Sequence, residues 1–249
     1  MAEGYSRRRP PLHSLIVSDI ARCLGSSLPV ARALDVGCGS GLSTAALVPF
    51  ASMRIGIDPT ESMLGWARNA APGCVFAAGC AERLSLASSS IDLITAAGSL
   101  NYADLAAFFA EARRVLTDGG IVAVYDFATG REFADAGGLN RWFDEFVQRY
   151  PFPPYRVLIS ETLREAGQPW FDAVPRGSSR PQYVLTMTRD QYLEYMMTET
   201  NVAAAISAGA READVRSWCA ETLATVFDGR DRPIRFHAQF DCLRLRSHG

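Results

Sequence analysis

Between residues 31 and 127 short apolar runs alternate with stretches whose apolar side chains recur at helical spacing. The runs Ala33–Val36, Met53–Ile57, Cys74–Ala77, Ile91–Ala96 and Ile121–Phe127 have few polar interruptions, which predicts strands covered on both faces. Leu42–Phe50, Ser62–Asn69 and Leu105–Leu116 read as helices between them. Strands alternating with helices predict an α/β fold with a doubly wound, mostly parallel sheet.

Beyond Phe127 the alternation stops. The stretch to Tyr183 carries Trp142, Phe143, Phe146, Tyr150, Phe152, Tyr155, Trp170 and Phe171 among six prolines at 151, 153, 154, 169, 175 and 181. So many rings in a segment of broken periodicity predict a lid laid over the sheet rather than a linker. Arg189–Ser207 and Glu212–Val226 read as two helices and Ile234–Leu245 as a closing strand or hairpin. The expected organisation is an N-terminal helical segment (1–30), a core (31–127), an aromatic and proline-rich lid insertion (128–185), and C-terminal helices with closing strands of the same domain (186–249).

Composition narrows the chemistry. All 25 basic side chains are arginine, and without lysine the chain has no Schiff-base amine, no phosphate-loop lysine and no biotinyl or lipoyl attachment point. A net charge of −2 gives no global field for nucleic acid or anionic lipid, so neither is expected as a partner. No signal peptide or membrane span is legible, and the six cysteines and three histidines lack metal-ligand spacing. The expectation is a cytoplasmic chain with free thiols, no metal and a small-molecule substrate.

The chemistry-bearing stretch runs from Ala33 to Thr44, where a strand enters Asp35-x-Gly37-x-Gly39-x-Gly41 and a helix follows. Glycines there let a ligand approach the backbone at the carboxyl edge of a parallel sheet. The next strand ends in Gly56-Ile57-Asp58, a carboxylate placed for the two hydroxyls of a ribose. The dinucleotide spacing G-x-G-x-x-G is not met, because its last position falls on Leu42 or Thr44. That disfavours a pyrophosphate and favours a nucleoside ligand without phosphates.

Five ordered motifs carry a family resemblance: Leu34-Asp35-Val36-Gly37-Cys38-Gly39-Ser40-Gly41, Gly56-Ile57-Asp58-Pro59 with Met63-Leu64, Ala81-Glu82, Ser90-Ile91-Asp92-Leu93, and Arg113-Arg114-Val115-Leu116 with Gly119-Gly120. The chain resembles the class I S-adenosylmethionine (SAM)-dependent methyltransferases, small-molecule branch, near the trans-aconitate and ubiquinone/menaquinone types. Tyr5-x-x-x-Arg9-Pro10-Pro11 is similar to that branch's N-terminal segment. The resemblance implies a Rossmann-like sheet of the seven-stranded type with the lid after its fifth strand. It implies SAM as cofactor and S-adenosylhomocysteine as product.

It further implies that the methionine moiety lies on Gly37, Cys38, Gly39 and Gly41, the ribose on Asp58, and the adenine by Pro59, Met63, Cys80, Ala81 and Glu82. Ala97 and Gly98 would line the sulfonium end. Cys80 departs from relatives that carry an acid there, leaving the adenine amine to backbone groups. Asp35 either orients the loop or meets the cofactor.

Catalysis has no assigned residue; His13, Tyr102 and His237 are the candidates, Tyr102 for a cation–π contact with the sulfonium. Arg8 and Arg9 are candidate clamps for an acceptor carboxylate, with Asn101 and Tyr102 facing the same pocket. The Ser99-Leu100-Asn101-Tyr102 stretch lacks the Pro-Pro of base-methylating relatives, so nucleic-acid methylation is not supported. Two rival readings remain: an NAD(P)-dependent oxidoreductase on the same fold, and a SAM-binding protein without methyl transfer.

Overall fold

A computed structural model describes residues 8–153 and 159–247. The elements are α1 (Leu12–Leu24), β1 (Val30–Val36), α2 (Leu42–Ala46), β2 (Ala51–Asp58), α3 (Glu61–Ala70), β3 (Val75–Ala78), β4 (Ile91–Ala97), α4 (Leu105–Val115) and β5 (Leu116–Phe127). There follow β6 (Glu132–Phe133), α5 (Leu139–Arg149), α6 (Ile159–Gly167), β7 (Phe171–Ser179), β8 (Gln182–Met187), α7 (Arg189–Met196), α8 (Thr200–Ser207), α9 (Glu212–Phe227) and β9 (Arg232–Leu245). The described residues divide into two compact units, a sheet unit (11–127, 159–181 and 238–247) and an aromatic unit (8–10, 128–153 and 182–237).

In the sheet unit β1 to β5 are parallel and lie in the order β3-β2-β1-β4-β5. The C-terminal half of β9 runs antiparallel beside β5, and β7 pairs antiparallel with β9. This is the α/β, mostly parallel sheet that the alternating pattern predicts, with the reversal of strand order between β1 and β4 where such folds bind ligands. Burial explains the strands: Leu34, Val36, Ile94, Ala96, Val122 and Val124 are all at most 5% exposed and pack with Phe108, Phe109 and Ala112 of α4. Each fully buried phenylalanine contributes roughly 1.5–3 kcal/mol of transfer free energy, so α4 is held chiefly by its apolar face. Asp104 starts α4 by accepting the Ala107 N–H at 3.1 Å, satisfying a helix-end donor.

In the aromatic unit the N-terminal half of β9 pairs antiparallel with β6 and β8. Its interior is a ring cluster in which Trp142 stacks on Phe146 and Trp218 at 5.2 and 5.9 Å. Tyr192 packs on Trp142 and Phe227 and donates its hydroxyl to the Gly130 carbonyl at 2.7 Å. The rings from Trp142 to Tyr150, expected in a lid laid over the sheet, fill the core of this unit. The expected 128–185 segment divides between the units, residues 159–181 joining the sheet unit as α6 and β7. The expected continuous helix 189–207 is two helices, α7 and α8. Among the described residues no helix is long and apolar enough to cross a membrane.

Candidate active site

The chain leaves β1 through three glycines with left-handed backbones, Gly37, Gly39 and Gly41 at φ +71°, +50° and +86°. Gly37 and Cys38 both donate their N–H to the Ile57 carbonyl, at 2.8 and 2.9 Å, so the loop is tied to the end of β2. A Cβ on Gly37 would stand 2.2 Å from Ser99 Cβ, and one on Gly41 would stand 2.9 Å from Ala67 Cα. Nothing larger fits between β4's exit, α3 and the loop. Beneath the loop Asp35 is fully buried and accepts hydroxyl hydrogen bonds from Ser43 and Thr44, both at 2.6 Å, and from Thr95 at 3.1 Å. Burial pushes its carboxyl above the usual range, against those three hydroxyls. Asp35 thus orients the loop by pinning the first turn of α2 to β4, which resolves its open role.

Asp58, 8% exposed at the end of β2, accepts the Gly39 N–H at 2.9 Å on Oδ2 and the Thr60 N–H at 2.8 Å on Oδ1. A carboxylate oxygen has capacity for more than one donor, so a diol can be received on the same group. Met63 lies against the loop, its Cε 3.6 Å from where a Cβ on Gly39 would be, and Pro59 is exposed beside it. After β3, Cys80 is exposed and bridges Arg83 through the backbone, while Ala81 packs on the core. Glu82 accepts the Asp104 N–H at 3.0 Å, tying this turn to the start of α4.

Beyond Ala97 at the end of β4, Gly98 (φ +63°) donates to the Tyr125 carbonyl at 2.9 Å, and Ser99 Oγ donates to the Val36 carbonyl at 2.6 Å. Asn101 is 9% exposed and donates its amide to the Gly98 carbonyl (3.3 Å) and to Asp126 Oδ2 (3.4 Å). Gly98, Val124, Tyr125, Asp126, Leu163, Gln239 and Asp241 line a cleft at this edge. The glycine loop, Asp58, the Cys80–Glu82 turn and Gly98 all follow the carboxyl ends of adjacent parallel strands, as a nucleoside site on this topology requires.

Residues 34–124 match the family described as a methyltransferase domain. A demethylmenaquinone methyltransferase of Roseiflexus castenholzii is 37% identical over 168 residues, 58% of this chain and 70% of that protein. The chain belongs to the class I SAM-dependent methyltransferases. A Dictyostelium discoideum protein named as a methyltransferase is 24% identical over 93% of this chain and 86% of its own length. The solved structure of a type II methyltransferase from Anaeromyxobacter dehalogenans superposes with a TM-score of 0.67 at 27% identity, over 92% of this chain and 95% of that one.

The loop of this methyltransferase leaves a polar group for the cofactor. Ser40 Oγ, inside it, is buried and has no hydrogen-bond partner among the described residues, and the Cβ-free faces of Gly37 and Gly41 are already taken by protein. The remaining expected residues are placed as follows. Tyr102 is 49% exposed, in a short 3-10 turn. His13, half-buried on α1, bonds the Tyr125 hydroxyl through Nδ1 at 2.9 Å and packs edge-on against Phe127 at 5.2 Å. Burial holds the Tyr125 phenol well above its ordinary pKa, so it stays a neutral hydroxyl.

In the aromatic unit Arg8 pairs with Glu194 at 2.9 Å and Arg9 with Glu199 at 3.2 Å. Arg9 also reaches Thr198 and lies over the Tyr195 ring. Both arginines are thus engaged by carboxylates within this unit. His237 meets Glu132 through Nε2 at 2.5 Å on the exposed face of β9. Tyr5, Arg7, Tyr155 and His248 lie outside the described residues. Asp126 escaped the sequence reading, although it obeys the same strand-end rule as Asp58, being the acid near the end of β5.

Proposed function

We propose that this protein binds SAM at the carboxyl edge of β1, β2 and β4 and transfers its methyl group to a small-molecule acceptor. The observation that carries this reading is the bond from Gly39 N–H to Asp58 Oδ2, which joins the glycine loop to the strand-end acid as one cradle. SAM supplies an activated methyl on a sulfonium, which moves by in-line displacement. The chain's part is alignment. Asp58 receives the ribose hydroxyls, Met63 and the Cys80–Glu82 turn border the adenine, and Gly98 gives the acceptor a close approach. Transfer of a methyl from sulfur needs no lysine, and α2 is preceded by a loop without dinucleotide spacing, which favours this reading over a nicotinamide enzyme.

Thermal unfolding with and without S-adenosylhomocysteine tests it. The ligand raises Tm by mass action, and Asp58→Ala reduces that rise, since the variant loses the ribose contact and frees the Gly39 N–H. A folded chain whose Tm is unmoved by the ligand refutes the reading. A labelled-methyl screen against small metabolites then separates an enzyme from a protein that only holds the cofactor.

A further inference from the structure

We propose that Glu111 and Arg114 of α4 are positioning residues for the nucleoside half of the cofactor: without touching it, they fix the peptide groups of the 80–86 turn and so set the affinity and base selectivity of the site. The inference rests on the SAM-binding reading of the same sheet edge and gives a task to the Arg113-Arg114-Val115-Leu116 motif, which that reading leaves unused.

The turn follows the carboxyl end of β3, and the Gly79 N–H donates to the Asp58 carbonyl at 3.2 Å, so it starts beside the acid that receives the ribose. β2 has two neighbours, and the glycine loop of β1 occupies one side of Asp58. The base on that ribose therefore falls against the turn after β3. Residues 80–86 join no strand ladder; one isolated bridge, Cys80 with Arg83, is their sheet-like pairing. Leu84, 3% exposed, anchors the turn in the core, but apolar burial is non-directional and does not decide which way the peptide groups face.

That direction comes from α4. Glu111 Oε2 accepts the Leu84 N–H at 2.7 Å, while Arg114 donates through Nη2 to the Leu84 carbonyl and through Nη1 to the Leu86 carbonyl, both at 2.7 Å. The two side chains also lock one another, Arg114 Nε to Glu111 Oε1 and Nη2 to Oε2, each at 2.8 Å. All three guanidinium nitrogens are thus in use, and a planar fork holds two carbonyls at a set angle as a point charge does not. Glu82 reaches the Asp104 N–H at the start of α4, so the helix grips the turn from both ends. With side chains 36% and 20% exposed, the ion pair by itself adds little to α4, which its apolar face already holds. Its effect falls on the turn.

Arg114 draws the Glu111 carboxyl below the usual glutamate range, so both groups are charged at neutral pH. Position 80 carries an exposed thiol in place of an acid, which leaves base recognition at this turn to peptide groups. A peptide carbonyl accepts from the 6-amino group of adenine and gains nothing from a 6-oxo group. Such discrimination lasts only while the peptide groups are held in place.

The test is calorimetry on the full chain with S-adenosylhomocysteine and its 6-oxo analogue, S-inosylhomocysteine. The unsubstituted chain should bind the first about tenfold tighter or more, the size of one hydrogen bond in a binding site. Arg114→Ala should weaken S-adenosylhomocysteine by about tenfold and the analogue by less than about threefold, so that the preference collapses. Arg114→Lys keeps the charge without the fork and should stay within about threefold of Arg114→Ala. Glu111→Gln keeps an acceptor for the Leu84 N–H and should bind S-adenosylhomocysteine at least about threefold tighter than Glu111→Ala. A purely structural pair would lower Tm and weaken both ligands alike. Equal weakening of the two ligands, full recovery in Arg114→Lys, or an unsubstituted chain that binds both equally overturns the inference and leaves cofactor binding standing. Should Arg114→Ala fail to fold, the same ratio is read in Arg114→Lys and the two Glu111 variants. Failure of the unsubstituted chain to bind S-adenosylhomocysteine overturns the SAM-binding reading itself.

Discussion

Gly37→Ala measures how tightly the cofactor loop is built. The new methyl would sit 2.2 Å from Ser99 Cβ and 2.8 Å from Ser99 Oγ, against an optimal carbon separation of about 3.5–4.0 Å. Ser99 has little freedom to retreat, since its hydroxyl donates to the Val36 carbonyl at 2.6 Å. Two costs add. The left-handed backbone, φ +71°, costs a non-glycine residue roughly 1–2 kcal/mol, and overpacking costs about 1–3 kcal/mol. The expected loss is about 2–5 kcal/mol, or a Tm lowered by roughly 4–20 °C at about 2–4 °C per kcal/mol for a chain of this size. Differential scanning calorimetry reads it directly. Adding Ser99→Gly removes the steric part and leaves the backbone part, so the double variant should recover about half the loss beyond its own single cost. A Gly37→Ala chain whose Tm falls by less than about 2 °C would refute the close approach of β1's loop to the exit of β4.

Other substitutions probe the frame around the site. Gly65→Ala, in α3 with nothing within 4 Å of the new Cβ, should stabilise the chain by up to about 1 kcal/mol, seen as a Tm raised by a few degrees. For Asp35 the folded pKa is raised by burial, so its contribution to stability is full below the unfolded pKa and falls as pH rises through the folded value. The Tm of Asp35→Asn should therefore gain on that of the unsubstituted chain between pH 4 and pH 7.5, and a difference independent of pH would exclude a raised pKa. Arg9→Ala breaks an ion pair whose side chains are 11% and 8% exposed, leaving Glu199 with Thr129 alone of its two named partners. A loss of about 3–5 kcal/mol is expected, read as faster amide exchange across 128–153 and 182–237.

The strands and helices of residues 31–127 were legible because each buries a continuous apolar face, and burial is what hydrophobic periodicity reports. Their ends were not. β1 starts at Val30, earlier than the apolar run, because Val30 and Arg32 are held by backbone pairing with β2 that needs no buried side chain, and β5 starts at Leu116, which pairs with Ile91 before a register shift leads to Ile121. Between α7 and α8 the break was invisible for a related reason. Glu199 is drawn into the pair with Arg9 and the bond from Thr129, partners remote in sequence, and Thr198 turns its hydroxyl back to the Tyr195 carbonyl at 2.7 Å. In 128–185 the aromatic residues announced burial but not against what.

At the site, residue types at a fixed spacing determined the glycine loop, the strand-end acid and the family, since left-handed turns admit glycine and a parallel strand delivers its last residue to the ligand edge. The same sequence left open which acids bind and which hold the frame. That choice belongs to tertiary contact: three hydroxyls from α2 and β4 enclose Asp35, two backbone N–H groups hold Asp58 at the edge, and the Gly98 backbone lies close against Asp126. Spacing sets which residues reach one edge of the sheet. Only the packed chain decides which of them are spent on one another, because that depends on partners dozens of residues away.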